Sequence, residues 1–143
     1  VKGLAIMKTF IPCLALLPLA ACAAQGPTPE PRLTERETRE LARLIEGKVP
    51  GEPVSCVTSY DSSKLRSIGD NTLVYVANKD LVYLNRLAGA CNGIARGDAL
   101  VMNRTSASQY CRGDIARVIS VPSGTMTGSC ALGDFVPYKT PGK

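Results

Sequence analysis

Four cysteines, Cys56, Cys91, Cys111 and Cys130, run through the C-terminal part of the chain at separations of 35, 20 and 19 residues. None forms a Cys-x-x-Cys pair, the spacing that zinc knuckles and thioredoxin-type redox sites use. Between them lie short apolar runs, 54–60, 72–77, 81–84, 99–103, 115–121 and 130–138, punctuated by Gly, Asp and Asn. Runs of this length with Val, Ile and Tyr read as strands separated by turns. The runs 72–77 and 81–84 flank Asn78-Lys79-Asp80 and predict a hairpin with a short polar loop. Leu65 and Ile68 add a bent strand or turn, and 84–90 reads equally as strand or helical turn. The expected fold is mainly β (α+β): a small antiparallel sheet or partly closed barrel of about six short strands, with one N-terminal helix and two disulfides. The stapled β domain is expected over 54–138, with 139–143 as a tail.

The N-terminus sets the redox context. Met7 and Lys8 open a positive start, 9–19 is apolar apart from Thr9 but broken by Pro12 and Pro18, and Ala20 and Ala21 precede Cys22. A charged start, a short apolar core and small residues before a cut mark an export signal. The core falls short of the roughly 20 apolar residues that cross a bilayer. Leu19-Ala20-Ala21-Cys22 resembles the lipobox of bacterial lipoproteins. The resemblance implies that 1–21 is a signal peptide, that Cys22 becomes the first residue, and that Cys22 carries palmitate-type acyl chains. Ala23 in place of Asp implies the outer membrane, with the domain facing the periplasm. Each buried acyl methylene contributes about 0.8 kcal/mol, so several chains make a stable anchor. A plain secretory cut near Ala24 is the alternative, and the start is open between Val1, as an alternative start codon, and Met7, the better of the two.

An exported domain meets an oxidising compartment, so the four cysteines are expected as two disulfides, with a four-thiolate zinc site as the alternative. Of the three connectivities, the nested one, Cys56–Cys130 with Cys91–Cys111, is favoured. It ties the first strand to the last and pins the middle loop. By chain entropy the short loop is worth about 3 kcal/mol and the long one about 4.5 kcal/mol. A domain this small, only 5% aromatic over the whole chain, needs that help.

Residues 22–33 hold the lipidated Cys22 and a tether with Pro27, Pro29 and Pro31 at alternate positions, which favours an extended strand. Residues 34–47 predict a helix. Thr34 and Glu37 make a capping box, and Glu35 with Arg39 and Arg36 with Glu40 are opposite charges four apart. Leu41, Leu44 and Ile45 form a short apolar stripe, so the helix is expected to dock by its C-terminal end. Gly47 and Pro50 stop it.

Cys56 opening the domain, Tyr83-Leu84-Asn85-x-Leu87 running into Cys91, Cys111-x-Gly113-Asp114-Ile115, and Ser129-Cys130-x-Leu132-Gly133-x-Phe135 together resemble an uncharacterised family of small four-cysteine exported proteins, a domain of unknown function. The resemblance covers about 54–138. It implies a framework of cysteines and turns, and no activity.

The remaining residues exclude more chemistry than they suggest. With no His in the chain, a Ser-His-Asp triad, a Cys-His dyad and imidazole metal ligands are impossible. No serine lies in a Gly-x-Ser-x-Gly turn and no phosphate-binding glycine loop occurs. Removing 1–21 takes Lys2 and Lys8 with it and leaves 15 basic against 12 acidic residues, a charge of +3. Without basic runs interleaved with aromatics, no nucleic-acid partner is expected. Arg96-Gly97-Asp98 and Arg112-Gly113-Asp114 repeat one tripeptide; each reads as a turn, with an adhesive loop as the sharper alternative. Asp70, Asp98 and Asp114 fall at predicted turns and would bind a cation only if those turns met; no metal, cofactor or catalytic residue is expected. The leading expectation is a cell-envelope lipoprotein acting as a non-enzymatic binding or structural module, with the membrane as one partner and an envelope protein or ligand as another. The alternatives are a periplasmic enzyme using carboxylates or a free thiol, and an enzyme inhibitor presenting the loop 103–110.

Overall fold

The computed structural model describes residues 32–58 and 64–142. The expected signal peptide, Cys22 and nearly all of the tether lie outside the described residues. The helix α1 spans Glu35–Ile45. Thr34 Oγ1 accepts from the Glu37 N–H at 3.3 Å, and the Thr34 N–H donates to the Glu37 carboxylate at 2.7 Å. The capping box therefore satisfies two N–H groups that a helix start otherwise leaves open. Among the described residues no helix is long and apolar enough to cross a membrane.

Eleven short strands follow among the described residues: β1 Val49–Pro50, β2 Cys56–Thr58, β3 Leu65–Ile68, β4 Thr72–Asn78, β5 Leu81–Arg86, β6 Ala88–Ala90, β7 Ala99–Asn103, β8 Gln109–Cys111, β9 Ile115–Ile119, β10 Met126–Ala131 and β11 Phe135–Lys139. A five-stranded sheet runs β1-β11-β5-β4-β3, a four-stranded sheet runs β6-β10-β9-β7, and β2 and β8 form a separate ribbon. Every pairing is antiparallel. The fold is mainly β, with two open sheets and no closed barrel.

Side-chain alternation sorts the two sheets into layers. Leu73 and Tyr75 of β4 and Phe135 of β11 join Ala116, Val118 and Cys130 of the second sheet in one buried cluster. Val74 of β4, Val82 and Leu84 of β5, and Ile68 of β3 point the other way, where Leu33, Leu41 and Leu44 cover them. The order is thus helix, five-stranded sheet, four-stranded sheet. No residue of α1 is fully buried, so the helix rests on the sheet by its apolar stripe.

The predicted run 130–138 divides between the two sheets. β10 ends at Ala131, residues 132–134 cross over, and β11 begins at Phe135. Beside it, the chain crosses at Leu87 from β5 into β6. The buried Asn85 holds the two crossings together. Its Nδ2 donates to the Gly133 carbonyl at 2.7 Å and to the Asp134 carbonyl at 3.3 Å, while its Oδ1 accepts from the Gly133 N–H at 3.0 Å. Gly133 is required by close approach, because a Cβ there would collide with the Arg86 carbonyl oxygen.

The disulfides are Cys56–Cys111 and Cys91–Cys130. The favoured nested pairing, Cys56–Cys130 with Cys91–Cys111, is therefore corrected to an interleaved one. Strand register is the reason. Cys56 stands directly opposite Cys111 in the β2–β8 ribbon, with a Cα–Cα distance of 4.1 Å. Cys91 follows β6, whose partner β10 carries Cys130 opposite Gly89, and the Cα atoms of this second pair are 5.3 Å apart. The start of the domain does reach the last strand, but through Val54 bridging Phe135 and β1 pairing β11. Cys56 lies two residues past that bridge, already committed to β8.

Asn85→Ala removes three hydrogen bonds from the buried Asn85 to half-buried main-chain groups of Gly133 and Asp134. The expected loss is about 2–4 kcal/mol of unfolding free energy, read as a lower urea midpoint at unchanged slope. A loss within about 0.5 kcal/mol, ordinary for a surface change, would contradict this role.

Candidate functional site

A concavity with a distinctive chemistry lies between α1 and the edge strand β3. One helix face carries Arg36, Arg39, Glu40 and Arg43, spaced three and four apart so that they stack along it. Arg66 of β3 stands across from Val74, on the sheet face that the helix covers. With Leu44 these residues line an open groove of about 570 Å³. Arg39 pairs with Glu35 at 3.5 Å. The predicted Arg36–Glu40 pair does not form. Among the described residues, Arg36, Arg43 and Arg66 have no carboxylate within 4.0 Å. Four guanidinium groups thus face a single lining carboxylate, Glu40. The helix pattern alone conceals this, since its charges balance and Arg66 joins only through the fold.

A second cavity, about 250 Å³, opens between the sheets and is lined in part by Ser67, Asp98 and Tyr110. Two of its polar groups are engaged. The Ser67 hydroxyl donates to the Ile94 carbonyl at 3.5 Å, and Asp98 accepts from Thr127 at 3.3 Å and pairs with Arg96 at 3.9 Å.

The three candidate carboxylates do not meet. Asp70 accepts from the N–H groups of Gly93 and Ala95 at 3.1 and 3.0 Å, tying the β3–β4 turn to the 3-10 turn Ile94–Arg96. Asp98 lies at the far side of that turn. Asp114 is elsewhere, 1% exposed, and accepts from Thr105 N–H, Thr105 Oγ1 and Cys111 N–H at 2.9, 2.8 and 2.9 Å. Among the described residues no three metal-ligating side chains come together. Both Arg-Gly-Asp repeats are turns whose carboxylates are held by these internal bonds. In the second, Gly113 has φ of 88°, a left-handed conformation that glycine adopts without strain, and its N–H donates to Leu132. The loop 103–110 is pinned as well, by Thr105 on Asp114 and by Arg104 stacked 5.4 Å from the Tyr110 ring centre.

The motif segments thus converge on structure. Asn85 holds Gly133, Gly113 and Asp114 pair with Leu132 through the main chain, and Cys91 joins Cys130. These parts define a small disulfide-stapled two-sheet domain carrying one helix and an arginine-lined groove. Residues 5–134 match the family of unknown function DUF6491, and the chain belongs to that family. Comparison with the curated proteins and with the solved structures finds no match.

Burial raises the Asp114 pKa, but the hydrogen bonds from Cys111 and Thr105 and the nearby Arg104 charge outweigh it and hold the carboxyl below its ordinary value of 3.8. A depressed folded value means that the ionised group stabilises the fold above the unfolded pKa and that this contribution is lost as pH falls through the folded value. Asp114→Asn is therefore expected to be less stable than the natural chain at neutral pH, with the gap narrowing below pH 3.8. Denaturant midpoints across that range check it; a gap independent of pH would contradict it.

Proposed function

We propose that the protein is a lipid-anchored cell-envelope module, tethered through Cys22 to the outer membrane with its β domain in the periplasm, and that it works by binding or bracing rather than by catalysis. The observation that carries this reading is Leu19-Ala20-Ala21-Cys22 at the end of a short, positively started apolar segment. The two disulfides support it, since such bridges persist in oxidising compartments. So does the order of parts: a proline-rich connector of about a dozen residues, long enough to stand a domain some 30–40 Å off a surface, precedes a helix that caps the sheet. The engaged state of Ser67, Asp98 and Asp114 favours a structural use of those groups.

The test is metabolic labelling in the protein's own host with a clickable palmitate analogue. The natural chain is expected to take up label and stay with the membrane fraction, while Cys22→Ala takes up none. An unlabelled natural chain whose N-terminus lies beyond Cys22 would contradict the anchor.

A further inference from the structure

We propose that the groove between α1 and β3 binds the phosphate groups of anionic lipids on the membrane surface that carries the anchor. The inference deepens the reading above and rests on it only for where the groove is held. Arg36, Arg43 and Arg66 come from two separate elements, converge on one open groove, and meet no carboxylate partner within the described residues. Bringing like charges together without partners is unfavourable for the fold alone. An anion in the groove reverses that sign. Guanidinium groups suit phosphate in particular, because their planar forks donate paired hydrogen bonds to its oxygens. The groove, about 570 Å³, has room for a headgroup, and Leu44 gives it an apolar margin.

Position favours a lipid occupant over a free anion. Twelve residues lie between Cys22 and Glu35, a reach of about 40 Å when extended. The helix that carries three of the arginines is therefore the first element after the tether. An anchored groove also meets lipid phosphate at high effective concentration, so weak intrinsic affinity suffices. A zwitterionic headgroup is a poorer occupant, because its own ammonium competes with the arginines.

The test uses the mature protein purified from membranes, reconstituted in phosphatidylcholine vesicles with and without phosphatidylglycerol. Arginine modification by phenylglyoxal is followed residue by residue by peptide mass. With phosphatidylglycerol, modification of Arg36, Arg43 and Arg66 is expected to slow about fivefold or more, the weight of one arginine at an anionic surface, and the slowing to fade in high salt. Arg117, on the exposed side of β9, is expected to keep its rate. The triple variant Arg36→Gln, Arg43→Gln, Arg66→Gln, altered only at surface positions, is expected to lose the phosphatidylglycerol protection at Arg39. Equal rates in both vesicles would overturn the proposal, as would equal protection by inorganic phosphate over phosphatidylcholine alone. Flotation on plain phosphatidylcholine vesicles reports the anchor separately. A chain that fails to float there loses the anchor reading, while flotation on phosphatidylglycerol still decides the groove.

Discussion

The two places where the chain passes between sheets are fastened to each other, and the rest of the fold depends on that junction. Asn85 spends both ends of its amide on Gly133 and Asp134. Gly133 lets the crossing strand press against the Arg86 carbonyl. The buried Cys91–Cys130 bridge links the next strand pair, a few residues away along both crossing segments. Two short sheets with few aromatics bury little surface each. They form one core only because these crossings hold them face to face. By chain entropy each disulfide, closing loops of 39 and 55 residues, contributes about 4 kcal/mol, a large share of a stability that for such domains is about 5–15 kcal/mol in all.

Local features were legible in the sequence. The capping box at Thr34 and Glu37, the hairpin around Lys79 and Asp80, and β7 and β9 follow from patterns within a few residues. What sequence patterns missed is long-range. The run 130–138 carries no sign that its two halves belong to different sheets, beyond a glycine whose role emerges only against Arg86. The first half of β10, Met126 to Gly128, is short of apolar residues and follows a Ser-Gly-Thr turn, so it reads as loop. The cysteine pairing failed for the same reason. Loop entropy differs little among the three connectivities, whereas strand register, which decides, depends on which strands pair.

The same division separates the disulfide-stapled framework from the arginine groove. The residues that make the family resemblance, Asn85, Gly113, Asp114, Leu132 and Gly133, are all used in building the crossings and the turns around them. The arginine groove draws on none of them. It arises where a charged helix is laid over a sheet edge, and its fourth cation comes from a strand well downstream in sequence. The apolar stripe of α1 fixes which face of the helix meets the sheet, and thereby which arginines gather beside Arg66. The residues that stabilise the domain and those that line the proposed binding groove are thus different, linked by the docking of one helix.

The most direct measurement is a peptide map of the unreduced protein from its own host. The expected map joins the Cys56 peptide to the Cys111 peptide and the Cys91 peptide to the Cys130 peptide, with no free thiol among the four. A Cys56–Cys130 link would contradict the interleaved crossing of the sheets, and free thiols at these positions would contradict both that crossing and the oxidising compartment proposed for the domain.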